Sequence, residues 1–201
     1  MRRPAGDFST WLIRTESLLE SGRGTAEPPC GECTACCRSH MFVHIGPDEK
    51  ETIRRIPRGL LFPAPGRPKG HLVMGYNDQG HCPMLIDNRC SIYEHRPQTC
   101  RSYDCRVFAA TGVRPDQPEI AERVAEWEFA GEHGQLRAAA AFLEGKRELF
   151  PAGVLPGNPG DLAVFAVKVH RLFAELRADA ELVEAICSHA DATATESRSR
   201  S

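Results

Sequence analysis

Apolar and polar positions follow two rhythms along this chain, and the change comes near residue 113. Phe8, Trp11, Leu12, Leu18 and Leu19 recur at an approximate helical period. That spacing predicts a helix over 8–21, stopped by Ser21-Gly22. Gly22 to Pro29 then reads as a loop. Met41–Ile45 and His71–Gly75 are short runs rich in apolar residues, closed by Gly46-Pro47 and by Asn77-Asp78-Gln79-Gly80. Each predicts a strand. Between them, Asp48 is expected to cap a helix reaching Arg55, with Glu49 and Glu51 in its first turn. Residues 57–70 hold four prolines and three glycines and read as loop.

Beyond residue 113 the period is helical almost throughout. Helices are expected over 118–129, 134–150, 161–179 and 180–189, separated by Gly/Pro stretches. In the third, Leu162, Phe165, Val169, Leu172, Phe173 and Leu176 form a continuous apolar stripe. Residues 191–201 are small and polar and read as a disordered tail. No internal repeat occurs. The expected fold is α+β, mostly α. An irregular cysteine-organised loop core with short strands packs on a helical C-terminal half. The expected divisions are 1–28 (N-terminal helix and linker), 29–113 (cysteine-cluster domain), 114–190 (helical region) and 191–201 (tail).

Composition narrows the function. A length of 201 residues suits one domain of ordinary size. With 7% aromatics, a mean hydropathy of −0.37 and no apolar run near the ~20 residues of a spanning helix, no membrane role is expected. The formal charge of −2 excludes the basic excess that nucleic acid would demand. It conceals a division: residues 1–113 carry 15 Lys/Arg against 12 Asp/Glu, and the rest carries 10 against 15. Phe8–Ile13 is soon interrupted by Arg14 and Glu16, too short for a secretory signal. A cytoplasmic setting follows, in which thiols stay reduced.

There are nine cysteines, an odd number that a fully paired disulfide framework cannot use. Cys30, Cys33, Cys36, Cys37, Cys82, Cys90, Cys100 and Cys105 fall within 76 residues, and Cys187 stands apart. In a C-x2-C turn the backbone curls so that two sulfurs converge, and thiolates are soft donors that select zinc or iron. Cys30-Gly31-Glu32-Cys33-Thr34-Ala35-Cys36 is similar to the start of a bacterial iron–sulfur run. His40 stands where the fourth cysteine of that run would be, and Cys82-Pro83 is a distant replacement. Adjacent side chains of an extended segment point apart, so Cys36 and Cys37 are expected to serve different metal positions. Pro97 suits the start of a short helix presenting Cys100. Eight thiolates suffice for two four-sulfur sites or for one cluster with extra ligands, and spacing alone does not choose. Arg38, Arg89, Arg96, Arg101 and Arg106 lie within four residues of a candidate ligand and could offset thiolate charge.

These residues carry a family resemblance. C-x2-C-x2-C-C at 30–37, Cys82-Pro83-Met84-Leu85, Cys90-Ser91-Ile92-Tyr93 and Arg96-Pro97-x2-Cys100-Arg101-x-Tyr103-x-Cys105 resemble the YkgJ-type cysteine cluster family. The resemblance covers about residues 29–106 and fills all eight cysteine positions. It implies chelation of zinc or iron, and a relation to flagellin lysine methylases, which share such a domain. The helices after residue 113 carry no methylase signature.

Three readings stay open. The first is a metal-chelating protein holding iron, as an iron–sulfur cluster, through the eight cysteines. The second is a zinc-folded module whose surface binds a protein partner. The third is a protein-modifying or redox enzyme that uses the cluster. The C-x2-C-x2-C spacing leans narrowly towards iron over zinc. Cys187, with Leu182, Val183 and Ile186, reads as a buried structural thiol. His40, His44, His81 and His95 read as outer donors or solvated residues, and His133, His170 and His189 have no partner at ligand spacing. Tyr93 and Tyr103 read as packing groups. No Walker motif, GxGxxG or GxSxG occurs.

Overall fold

The computed structural model describes residues 2–176 and 178–199, with side chains through Ala192. It is 48% helix and 12% strand, an α+β arrangement that is mostly α. The strands are β1 (Arg3–Asp7), β2 (Val43–Ile45), β3 (Leu61–Pro63), β4 (Leu72–Met74), β5 (Leu85–Ile86), β6 (Arg89–Cys90) and β7 (Trp127–Ala130). The helices are α1 (Phe8–Ser21), α2 (Lys50–Arg55), α3 (Gln98–Ser102), α4 (Arg106–Thr111), α5 (Pro118–Val124), α6 (Gly134–Gly145), α7 (Pro159–Val169), α8 (Leu172–Glu175) and α9 (Asp179–Ser199). Among the described residues, no helix is long and apolar enough to cross a membrane. The chain divides into two compact units: one of residues 1–16, 106–116 and 124–201, the other of residues 17–105 and 117–123.

In the first unit, α4, α6 and α7 pack around Leu136, Ala139, Ala140, Leu143, Leu162, Ala163 and Ala166, all buried. The alanines let the helix axes approach while the leucines fill the space between them. β1 and β7 form a parallel pair. Buried Arg106 donates from Nη1 to the carbonyl of Ala5 in β1 at 2.9 Å. Asp7 starts α1, its Oδ1 accepting from the amide of Thr10 at 2.8 Å and from the Thr10 hydroxyl at 2.7 Å. This is the capping geometry that relieves unpaired amides at a helix start.

Several sequence expectations need correction here. The helix expected over 118–129 ends at Val124, and Trp127–Ala130 is a strand. Its partner, Arg3–Asp7, lies more than a hundred residues away in sequence, so no local period could announce the pairing. The helix expected to reach Phe150 stops at Gly145, followed by a 3-10 turn at Arg147–Leu149. The helix expected over 161–179 begins earlier, where Asn158 accepts from the Asp161 amide at 2.8 Å with Pro159 at the first position. It is interrupted after Val169, where the buried His170 imidazole meets the Val167 carbonyl at 2.7 Å. α9 runs past the expected end at His189 into the segment read as a tail, where no Gly or Pro stands before Ser199 and alanines favour helix. Residues 200 and 201 lie outside the described set.

The second unit contains a three-stranded antiparallel sheet in the order β2-β4-β3, with Val43 and Leu61 both opposite Met74. β3 and the 3-10 turn Arg58–Leu60 occupy the segment read as loop. Its prolines sit at the strand end and beyond, where no ladder amide is required. The core is small: Ile45, Ile56, Met74, Met84 and Ile92, with Cys82 and Cys90 packed against it. Asp48 does not cap α2. Glu49 holds that position, and its carboxylate instead accepts from the amides of Gly46 at 2.7 Å and Gln98 at 2.6 Å. One buried acid therefore ties the start of α2 to the start of α3.

Candidate metal centre

All eight clustered cysteines line one cavity of about 1270 Å³ in the second unit, and Cys187 is not among its walls. Short local structures bring each of them there. In Cys30–Cys33 the Cys33 amide donates to the Cys30 carbonyl at 3.1 Å across Gly31. Gly31 has φ +58, a conformation that disfavours a side chain. Ala35–Cys37 is a 3-10 turn closed by the Cys37 amide on the Thr34 carbonyl at 2.9 Å. The expectation that Cys36 and Cys37 diverge from an extended segment is thereby corrected. Within this turn their side chains hydrogen-bond to each other and face the same cavity.

The Cys82 amide donates to the Cys37 carbonyl at 2.7 Å, joining the two halves of the pattern. The amides of Met84 and Leu85 donate towards the Cys82 sulfur, using the turn that Pro83 begins. β5 and β6 form a hairpin in which Leu85 pairs with Cys90. Its two-residue turn is Asp87-Asn88, at φ +48 and +59. Two consecutive left-handed residues make the turn that matches strand twist, and Asp and Asn tolerate it best after glycine. Pro97 precedes α3, as its sequence position suggested, and Cys100 lies on that helix. The segment then leaves the helix at Tyr103, which carries the chain to buried Cys105.

Burial dominates the electrostatics of Cys30, Cys82 and Cys100. It pushes the Cys30 thiol up to about 11, with the charges of Cys36 and Cys33 adding to it and Arg123 opposing. Cys100 is pushed up to about 12 by burial and by Cys36, Cys82 and Cys90, against Arg96. Cys82 rises for the same first reason, while its two backbone donors pull the other way. The side-chain hydrogen bond that the Cys36 thiol donates to Cys37 pushes Cys36 far above the ordinary thiol range, with burial adding to it. Cys36 is therefore an electrostatic neighbour of Cys30, Cys82 and Cys100 alike. Among the described residues, no three His, Cys, Asp or Glu side chains converge into one ligand set. The cavity gathers the donors without closing them on a point.

The arginines divide. Arg38, Arg89, Arg96 and Arg101 line the cavity, as the charge argument expected. Arg106 does not, being bonded to Ala5 in the other unit. Arg123, placed by the sequence reading in the helical region, lines it instead and donates to the Cys30 carbonyl at 2.7 Å. With Ile120, it brings α5 into the cavity wall. The signal for this was weak: an apolar residue and an arginine three apart on a helix, with no cysteine near.

Tyr103 also lines the cavity, and its hydroxyl oxygen is buried without a hydrogen-bond partner. Burial holds this phenol well above its ordinary range, with Cys105, Cys36, Asp104 and Cys30 adding to the effect. No histidine is among the lining residues. His44 meets His71, Nε2 to Nδ1, at 2.9 Å, and His40 stands edge-on to Tyr76. Cys187 is half-buried rather than fully enclosed.

The donor set fits a soft metal. Eight thiols share one chamber with backbone amides and guanidinium groups placed to favour the anionic sulfur, and a buried hydroxyl among them has nothing to bond. Such a chamber suits a divalent ion or an iron cluster, whose positive charge favours the thiolate that burial alone disfavours.

Comparison with known proteins agrees with this chemistry. A family model, CxxCxxCC, described as "Putative zinc- or iron-chelating domain", matches residues 29–126. No curated protein and no solved structure matches the chain. The match runs past Cys105 and takes in α5, the helix whose Ile120 and Arg123 complete the cavity wall. Residues 29–126 are thus similar to the CxxCxxCC domain over a stretch that holds all eight clustered cysteines.

Proposed function

We propose that this protein is a metal-chelating protein of the cytoplasm that binds iron, as an iron–sulfur cluster, through Cys30, Cys33, Cys36, Cys37, Cys82, Cys90, Cys100 and Cys105. The observation that carries this reading is the shared cavity: eight cysteines from five separate stretches of chain line it, and the ninth does not. Two features favour a polynuclear iron centre over separate closed zinc sites. The C-x2-C-x2-C spacing is the habit of iron–sulfur proteins. Cys36 is also an electrostatic neighbour of thiols from both halves of the pattern, which suits a centre shared between them. Bound there, such a cluster supplies one-electron transfer. The chain's own part is to exclude water, direct amides at Cys82 and set Arg96 and Arg123 beside the sulfurs.

Protein purified without oxygen is expected to contain iron and sulfide and to show visible absorption that bleaches on reduction. A colourless preparation with stoichiometric zinc overturns the iron assignment in favour of the zinc-folded module. A preparation that takes up neither metal overturns chelation by these cysteines.

A further inference from the structure

Resting on that reading, we infer that Tyr103 is a positioning residue of the metal centre, its hydroxyl donating a hydrogen bond to one metal-bound thiolate of the cavity it lines. The residue lines the cavity that holds all eight cysteines, and its hydroxyl oxygen is buried with no hydrogen-bond partner among the described residues. A buried hydroxyl without a hydrogen bond is costly and uncommon. A phenol that served packing alone would be replaced by phenylalanine at no loss. A metal-bound thiolate would supply the partner that the described residues lack. A thiolate on a metal keeps lone pairs that accept an O–H donor, and a donor there lowers the charge the metal must carry alone.

The backbone fixes the phenol in this role. The Tyr103 amide donates to the Thr99 carbonyl at 3.1 Å, which closes α3 at a residue that lines the cavity. Tyr93, by contrast, lines the same cavity but is 57% exposed, with Arg96 stacked 4.0 Å over its ring. It is the natural control.

The test uses the full chain with Co2+ as probe, because cobalt bound to thiolate gives a charge-transfer absorption. Tyr103→Phe should bind Co2+ about 10–100-fold more weakly than the parent at the same stoichiometry, while Tyr93→Phe should match the parent. Metal-free Tyr103→Phe should melt at the parent temperature or above it, since it loses a hydroxyl that bonds to nothing. Equal cobalt affinity in Tyr103→Phe and parent overturns the inference. So does a lower melting temperature of the metal-free variant, which would place the partner of the hydroxyl within the chain. Failure of the parent itself to bind cobalt through thiolates would instead overturn the proposed function.

Discussion

The unit of residues 1–16, 106–116 and 124–201 buries Trp11, Phe108, Trp127, Leu136, Leu143, Leu162, Val167 and Ile186, among others. The unit of residues 17–105 and 117–123 has Ile45, Ile56, Met74, Met84 and Ile92 as its core, held under strands of two or three residues. The first follows the ordinary rule that apolar burial offsets the entropy of ordering the chain. The second has a smaller buried apolar cluster and lines a cavity with eight cysteines. Small cores of this kind are usually completed by a disulfide or a metal, and no disulfide joins the cysteines among the described residues. A chelated metal would be what the second unit has in place of a larger core.

Removing the metal is the strongest test of that contrast. Structural zinc contributes about 10–16 kcal/mol of apparent folding energy in small metal-folded peptides, as much as burial of this small apolar core supplies. Chelation, or Cys33→Ser, should therefore abolish amide protection over 30–105 and leave α6 and α7 protected, as read by hydrogen exchange. Unchanged protection over 30–105 after metal loss would mean that the small core suffices. The reverse experiment is Leu143→Ala, at a fully buried position of α6. It should cost about 2–5 kcal/mol with no change in metal stoichiometry. A loss of bound metal in Leu143→Ala would show that the contrast between the units is false.

The sequence made one of the two units far easier to read than the other. Cysteine spacing pointed to residues that line the second unit's cavity, because a C-x2-C repeat dictates a tight local turn and so brings its side chains together. α1 was legible to the residue, since its apolar period and its Ser21-Gly22 stop are local signals. Trp127–Ala130 was misread because its pairing with Arg3–Asp7 is a long-range choice that no neighbouring residue records. Arg123 was missed for the same reason: its bond to the Cys30 carbonyl spans 93 residues of sequence. The Asp87-Asn88 turn, by contrast, was available and unread, since two residues tolerant of positive φ between short apolar runs is a hairpin signature.

Two glycines compare the units at smaller scale. Gly80 and Gly112 have nearly equal torsions, φ +78 and +81. A Cβ on Gly112 would meet nothing within 4 Å, whereas one on Gly80 would lie 2.0 Å from Nε2 of His40. Gly112→Ala should therefore cost only the left-handed backbone penalty, about 1–2 kcal/mol. Gly80→Ala should cost more, because it must also displace the His40 ring, whose backbone amide donates to the Gly80 carbonyl at 2.9 Å. Equal losses in thermal melts of the two variants would show that His40 is free to move and that this edge of the second unit is loosely held.

The smallest effect separates the units by pH. In the second unit, burial lowers the pKa of His44, and the charges of His71 and Arg67 act in the same direction against Glu49. The unfolded chain, with His44 near its ordinary 6.5, then binds protons that the folded state refuses. Stability from this group is present above pH 6.5 and is lost as pH falls below it. In the first unit, the hydroxyl and amide of Thr10 lower the pKa of Asp7 below its ordinary 3.8. Its contribution is present above 3.8 and is lost only as pH falls through the lower folded value. On acidification of metal-free protein, amide protection in β2 and β4 should therefore weaken before that at the start of α1. His44→Gln should flatten the first loss and leave the second untouched. If β2 and α1 lost protection together in the parent, or if His44→Gln kept the parent's pH profile, the His44–His71 contact would not be the acid-sensitive element of the second unit.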